Sequence, residues 1–324
     1  MTGLRRGLVT IAAALLAGTG AAAAQTKLTV MVFQGIQNVP LQAAQDQGYF
    51  AKRNLEVELK IAPNSDELRN GLAEGRYQIV HAGVDNALAL AEVAKKDIAI
   101  VVGGDSGLNH LIVQPEIKSY ADLRGKTVAV DSPNTAFAFV LYKMLDMNGV
   151  KRGEYEVKPA GASFLRRDAM LKDKTFAASI LNPPFTVQAE KAGLRDLGSA
   201  VQAIGPYQST AGFVMRDWAK DNADTLVRYL QAYIEGVRWT TNPANKAAAV
   251  KMVMERMKLP DDIAAPAFDM YANPAEGFAK DLALNLDGLR NVLKLRAEIT
   301  GSGEPPAADK YVDLSYYDRA LKGL

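Results

Sequence analysis

Asp85 is the residue whose setting most demands a chemical partner. It lies in the turn Gly83-Val-Asp-Asn86, between a strand-like run, Gln78-Ile-Val-His-Ala82, and a helix-like run from Ala87 to Lys95. A carboxylate in such a turn wants a donor: a ligand amine, hydroxyl or ring N–H, or a nearby cation. It also suits a helix cap. Three more turns share the strand-to-helix setting: Gln34–Asn38, Ser132–Phe137 and Asn182–Phe185. Ser132-Pro-Asn-Thr135 offers hydroxyls, an amide and a helix start, which fits an anion cradle or plain N-capping. The candidate ligand contacts are Gln34, Asn38, Gly83, Asp85, Asn86, Ser132, Asn134, Thr135 and Asn182. Phe137, Phe185 and Tyr207 are candidate flat walls, and Phe164 is a fourth aromatic of this kind, although a residue of this type is more often core than pocket. Ala160–Phe164 and Tyr207–Gln208 are weaker turns of the same type. None of the four main turns contains Lys or Arg, which argues against a small inorganic anion held mainly by charge.

Catalytic alternatives are thin. The chain has only two histidines, His81 and His110. His81 falls inside a strand-like run and reads as a wall residue, and no partner for His110 is evident. There is no helical two-histidine metal motif and no phosphate loop. Gly103-Gly-Asp-Ser-Gly107 follows a strand, but its spacing differs from the dinucleotide fingerprint, and a Gly-rich turn explains it. With no cysteine, disulfides, thiolate metal sites and a cysteine nucleophile are excluded. No metal or cofactor is expected.

These turns must be placed by alternating strands and helices. Lys27-Leu-Thr-Val-Met-Val-Phe33 is an apolar strand. Val39-Pro40 opens a helix through about Arg53, with Pro in the first turn, and Leu55-Glu-Val-Glu-Leu59 alternates as a second strand. Ile98–Val102 reads as a buried strand, and Asn64 with Glu67 as a capping pair. Phe137, Val140, Leu141, Met144 and Leu145 make one apolar helical stripe. Beyond Gly212 the pattern turns helical: Leu226, Leu230, Tyr233 and Val237 share one face, and Leu286, Leu289, Leu293 and Ala297 another. In open α/β sheets ligands bind at the carboxyl ends of strands, where these turns fall.

The first 24 residues are expected to be a cleaved export signal: Arg5-Arg6, an apolar stretch from Gly7 to Leu16, then Ala22-Ala23-Ala24. No other stretch is apolar and long enough to span a membrane. Without Arg5 and Arg6 the chain has 36 basic and 36 acidic residues, a poor balance for binding nucleic acid. A free periplasmic protein fits best. About 300 residues suffice for a core split into two lobes.

The segment Pro40-Leu-Gln-Ala-Ala-Gln-Asp-Gln-Gly-Tyr-Phe-Ala-Lys-Arg-Asn-Leu-Glu-Val-Glu-Leu59 resembles the first helix and second strand of a known group. That group is the ABC-importer substrate-binding proteins for sulfonates, taurine and nitrate, which also includes binders of the thiamin pyrimidine precursor. Ile117 to Val130 resembles the segment that starts the group's second lobe. Leu181-Asn-Pro-Pro-Phe185 and Ser209-Thr-Ala-Gly-Phe-Val-Met215 resemble later landmarks, so most of residues 27–320 follow the pattern. The resemblance implies an α/β, two-lobed type 2 periplasmic-binding-protein fold. Each lobe would be a mostly parallel sheet flanked by helices, with two crossings and a helical C-terminal part. Lobe one would hold residues 25–110 and 214–324, and lobe two 111–213. It further implies a monomeric receptor for a small organic solute (a sulfonate, an aromatic or heteroaromatic acid, or a pyrimidine-like molecule) that docks on permease subunits. One relative on this fold is an enzyme of thiamin-pyrimidine synthesis whose activity depends on a cysteine-rich iron-binding segment. The absence of cysteine and the export signal argue against that activity here.

Overall fold

The computed structural model describes residues 24–324, so the expected signal lies outside the described residues but for Ala24. Among the described residues, ten strands build two five-stranded sheets. In chain order they are β1 (Thr26–Val32), β2 (Leu55–Ile61), β3 (Ile79–Gly83), β4 (Ile98–Val102), β5 (His110–Val113), β6 (Thr127–Val130), β7 (Glu156–Pro159), β8 (Phe176–Leu181), β9 (Arg195–Ser199) and β10 (Thr210–Met215). The first sheet has the order β2-β1-β3-β10-β4, the second β7-β6-β8-β5-β9. β10 runs antiparallel to both its neighbours, and so does β5. The remaining direct pairings are parallel. The chain therefore leaves the first sheet after β4, builds the whole second sheet, and returns through β10. In each sheet, the strand that enters from a crossing is the one that runs against the rest.

Burial explains the strand sequences. β4, Ile-Ala-Ile-Val-Val, is buried at every position, as expected of a strand covered on both faces. β2 is an edge strand: Leu55 is buried, while Glu56, Lys60 and Ile61 are exposed. Helices cover the faces. Pro40 sits in the first turn of the helix Val39–Asp46, and Asn64 caps the next helix by accepting from the Glu67 N–H at 2.8 Å.

The 19-residue helix Ala223–Thr241 buries Leu226, Leu230, Tyr233 and Val237. It packs against the Val39–Asp46 helix at Gly236, where a Cβ would come within 2.1 Å of the Pro40 carbonyl oxygen. Only glycine permits that approach, so any larger side chain must push apart the helix that carries the first candidate turn.

The C-terminal part is helical, and it contacts β4 of the first sheet and helices that flank the second. The helix Leu286–Thr300 contacts the helix Ala136–Met147, which follows β6. The helix Asp261–Ala272 contacts both the turn after β1 and the helix Phe185–Lys191 after β8. One hydrophobic cluster takes in Met31, Ile100 and Phe213 of the first sheet, Leu111 and Val128 of the second, Phe139, and Leu289 and Val292 of the Leu286–Thr300 helix. Among the described residues, no helix is long and apolar enough to cross a membrane.

Candidate functional site

The four expected turns gather in two pairs on the seam between the sheets. The first pair centres on Asp85. Its carboxylate is bonded to the Arg296 guanidinium, from the Leu286–Thr300 helix. The Arg296 guanidinium also stands over the Phe139 ring at 5.8 Å, and Glu298 on the same helix pairs with Lys143 at 2.7 Å. Phe139 and Lys143 belong to the helix Ala136–Met147, capped by Thr135, whose hydroxyl donates to Asp131 at 2.5 Å. Burial pushes the Asp85 pKa up more than Arg296 pulls it down, and the charge of Asp131 adds to the rise. The buried Tyr207 phenol is also pushed up, by burial and then by the charge of Asp85.

The second pair meets around the helix Asp261–Ala272. Asn182, after β8, accepts from Ser163 Oγ at 2.9 Å, and burial pushes the Tyr271 phenol pKa up although the nearby Asn182 side chain pulls it down. Lys191 pairs with Asp262 across the same junction. Behind Ser163 lies Arg166, 1% exposed, which donates to Ser179 Oγ at 3.0 Å, Gly161 O at 2.6 Å, Ser163 Oγ at 3.1 Å and Ile180 O at 2.9 Å. Burial pulls its pKa down to about 10, which leaves it charged at neutral pH. Its guanidinium stands over the Phe137 ring at 4.9 Å, and that of Arg167 over Phe185 at 5.6 Å. Phe164 and Phe185 are tilted together at 6.4 Å, with Phe164 exposed.

Several candidates are spent on their own turns. Asn38 donates to Phe33 O at 2.6 Å, and Asn86 accepts from Arg69 while donating to Gly83 O. Gly83 precedes a helix whose first N–H, that of Val84, donates to Ser209 O at 2.7 Å. Gln34, Ser132 and Asn134 are exposed. The turns contain no basic residue, yet Arg166, Arg167 and Arg296 reach them from helices. The inference against a charge-held anion therefore loses its basis, because turn composition does not report side chains arriving from elsewhere.

Sequence reasoning missed the floor between the two pairs. Asp105, in the connection from β4 to β5, is 4% exposed and accepts from the Gly107 N–H at 2.7 Å. Burial raises its pKa to about 6, against the hydrogen bonds from Thr210 and Gly107. Its own setting was the available signal: it too is a carboxylate in a turn after a strand, like Asp85. His81 behaves as the wall residue expected: buried, bonded through Nε2 to the Tyr229 hydroxyl at 2.8 Å, and held neutral by burial with a pKa of about 3. His110 does have a partner: Nδ1 lies 2.6 Å from Asp196 Oδ2, on the neighbouring strand β9. A surface hollow lined by Lys95, Asp97 and Tyr311 lies at the amino end of β4, opposite these turns.

Two α/β sheets joined by two crossings, with turns of both facing one seam, define the two-lobed periplasmic-binding-protein fold. The chain belongs to the NMT1/THI5-like family, whose profile matches residues 36–247. A protein of Brachyspira hyodysenteriae (strain ATCC 49526 / WA1), named as an ABC transporter periplasmic binding protein, is 22% identical over 247 residues, covering 71% of this chain and 70% of that one. The nitrate-binding protein NrtA of Synechocystis PCC 6803 superposes with a TM-score of 0.75 at 15% identity, covering 93% of this chain and 89% of that one. The aliphatic sulphonate binding protein SsuA of Escherichia coli gives 0.72 at 16% identity, covering 89% and 92%. The desulfurization enzyme DSZB shares the fold as well, with a TM-score of 0.65 at 12% identity over 91% and 99% of the chains, so the fold alone does not separate binding from catalysis.

Proposed function

We propose that this protein is the periplasmic receptor of an ABC importer and that it closes on a small organic solute between its two lobes. The lobes are residues 25–110 with 214–324, and 111–213. The observation that carries this reading is the convergence of turns from both sheets on two helices of the C-terminal part, Leu286–Thr300 and Asp261–Ala272, through Asp85–Arg296 on one flank and Lys191–Asp262 on the other. A solute that bridges both lobes favours the closed form, because only that form makes both sets of contacts. The closed, monomeric receptor then docks on permease subunits, and the chain performs no chemistry of its own. The cysteine-dependent enzymatic alternative lacks its essential side chain. Micromolar binding requires about 8 kcal/mol net, within reach of a few buried hydrogen bonds and ring contacts.

The test is a thermal-shift screen of small organic solutes, followed by small-angle scattering on any that stabilise the protein. A stabilising solute should also reduce the radius of gyration. Stabilisation without compaction would count against closure, and a catalysed change in the solute would count against a pure receptor.

A further inference from the structure

The floor of the seam carries hydrogen-bonding capacity and charge that the protein does not use internally. Among the described residues, no Lys, Arg or His lies within ion-pair distance of Asp105. Its neighbours are the Gly107 N–H and Thr210, both neutral. Two further polar atoms, His81 Nδ1 and Asn109 Oδ1, are buried without any partner, on side chains 3% and 4% exposed. They lie in the same region. Asn109 and Ser209 flank Gly107 in space, and His81 lies beside Gly212, two residues beyond Thr210. Aromatic rings border the group: Tyr233 meets His81 edge-on at 4.6 Å, Phe278, bridged to Asp105, is tilted against Tyr271 at 5.3 Å, and the charge of Asp105 reaches both the Tyr233 and the Tyr271 phenol.

A buried carboxylate with no counter-ion, beside a spare carbonyl and two phenol rings, has the chemistry of a cation receptor. A nitrate or sulfonate group here would meet an uncompensated negative charge. We propose that this floor receives the nitrogen end of the solute, a protonated amine or amidine. Asp105 is its counter-ion, Asn109 Oδ1 its second acceptor, and Tyr233 and Tyr271 its aromatic walls. The proposal rests on the receptor reading above and narrows it: an acidic end, where the solute has one, belongs toward Arg166 or Arg296, and the basic end toward Asp105.

The experiment compares probes matched in shape and opposite in charge. Benzamidine and tyramine are set against benzoate and phenylmethanesulfonate, by thermal shift and calorimetry on the full-length chain at pH 7.5. The bases should bind, and Asp105→Asn, which keeps the acceptor for Gly107, should weaken benzamidine at least tenfold. Binding of the acids alone would overturn the assignment while leaving the receptor reading intact. Unchanged benzamidine affinity in a folded Asp105→Asn would overturn it too. If no probe of either charge binds, the assignment falls, while the receptor reading stands or falls by its own screen and scattering test. Should Asp105→Asn fail to fold, Asn109→Ala carries the test: about threefold weaker benzamidine binding is expected, and no change refutes the role of its carbonyl.

Discussion

Asp85 and Arg296 are paired across 211 residues of sequence, and that pair ties a turn of the first sheet to a helix that also packs on the helix Ala136–Met147 beside the second. The carboxylate was the more conspicuous partner in the sequence because it stands in a turn after a strand. The arginine had no such marker. Together they satisfy from within the chain the demand for a donor that Asp85 makes on its surroundings. Their side chains retain only 16% and 24% exposure, so neither ion is well solvated on its own.

Arg296→Ala should therefore cost about 2–3 kcal/mol at pH 7.5, somewhat below the range for fully buried pairs. The loss should shrink in acid. Asp85 already has a raised pKa, and without Arg296 it rises further. The orphaned carboxyl can then escape by protonation as pH falls through that value. Urea unfolding of parent and variant at pH 7.5 and pH 4 reads this directly. An equal loss at both would mean that the pair contributes packing and not charge.

Asp105→Asn should stabilise the unliganded protein at alkaline pH. The parent carboxyl titrates near 6 when folded, against 3.8 as the ordinary value, so the folded state holds its proton more tightly. Parental stability consequently rises as pH falls through 6 toward 4, and ionisation above 6 costs about 3 kcal/mol. The variant avoids that cost. Its advantage should be greatest near pH 8 and vanish near pH 4, by denaturant titration across that range. A variant less stable at every pH would show that Asp105 is a structural cap and not a strained functional group.

The elements were legible from local pattern, the site only in part. Apolar runs such as Ile98–Val102 and the capping pair Asn64 with Glu67 are short-range signals, and they appear in the fold where expected. The turns themselves follow, since each sits between a strand and a helix. What the turns touch is set by tertiary packing, so Arg296 and Tyr271 were invisible from the turn sequences. Arg166 left one trace. It precedes Met170 by four residues, the spacing of one helix face, and both are buried. An arginine on the core side of a helix must donate to something.

The histidine pair offers a clean spectroscopic test. Burial alone would lower the His110 pKa, but the hydrogen bond and charge of Asp196, with Glu276 and Glu190 nearby, outweigh it and raise the value above 6.5. The stabilisation from this pair is therefore complete below pH 6.5 and disappears as pH rises through the raised value. Asp196→Asn should reverse the direction, leaving burial to dominate and dropping the pKa below 6.5. The only other histidine of the chain, His81, stays neutral until about pH 3, so one imidazole signal should titrate near neutrality in an NMR series. A His110 pKa indifferent to Asp196→Asn would dissociate the two residues in solution.

Arg166 sets the last prediction, because its four acceptors come from one turn and one strand of the second sheet. Gly161 O and Ser163 Oγ belong to the approach to the helix Ser163–Lys172, while Ser179 and Ile180 belong to β8. A planar fork reaches all four; an ammonium on a flexible stem has three donors at one point and cannot. Arg166→Ala should thus cost about 3–5 kcal/mol, from unpaired acceptors together with the space vacated. Arg166→Lys should recover less than half of that. Amide hydrogen exchange gives the local readout: protection should fall at residues 160–165, next to the Asn182 turn, before it falls in β6. Full rescue by lysine would mean that charge alone holds the turn, and that the fork geometry has no part in shaping this side of the seam.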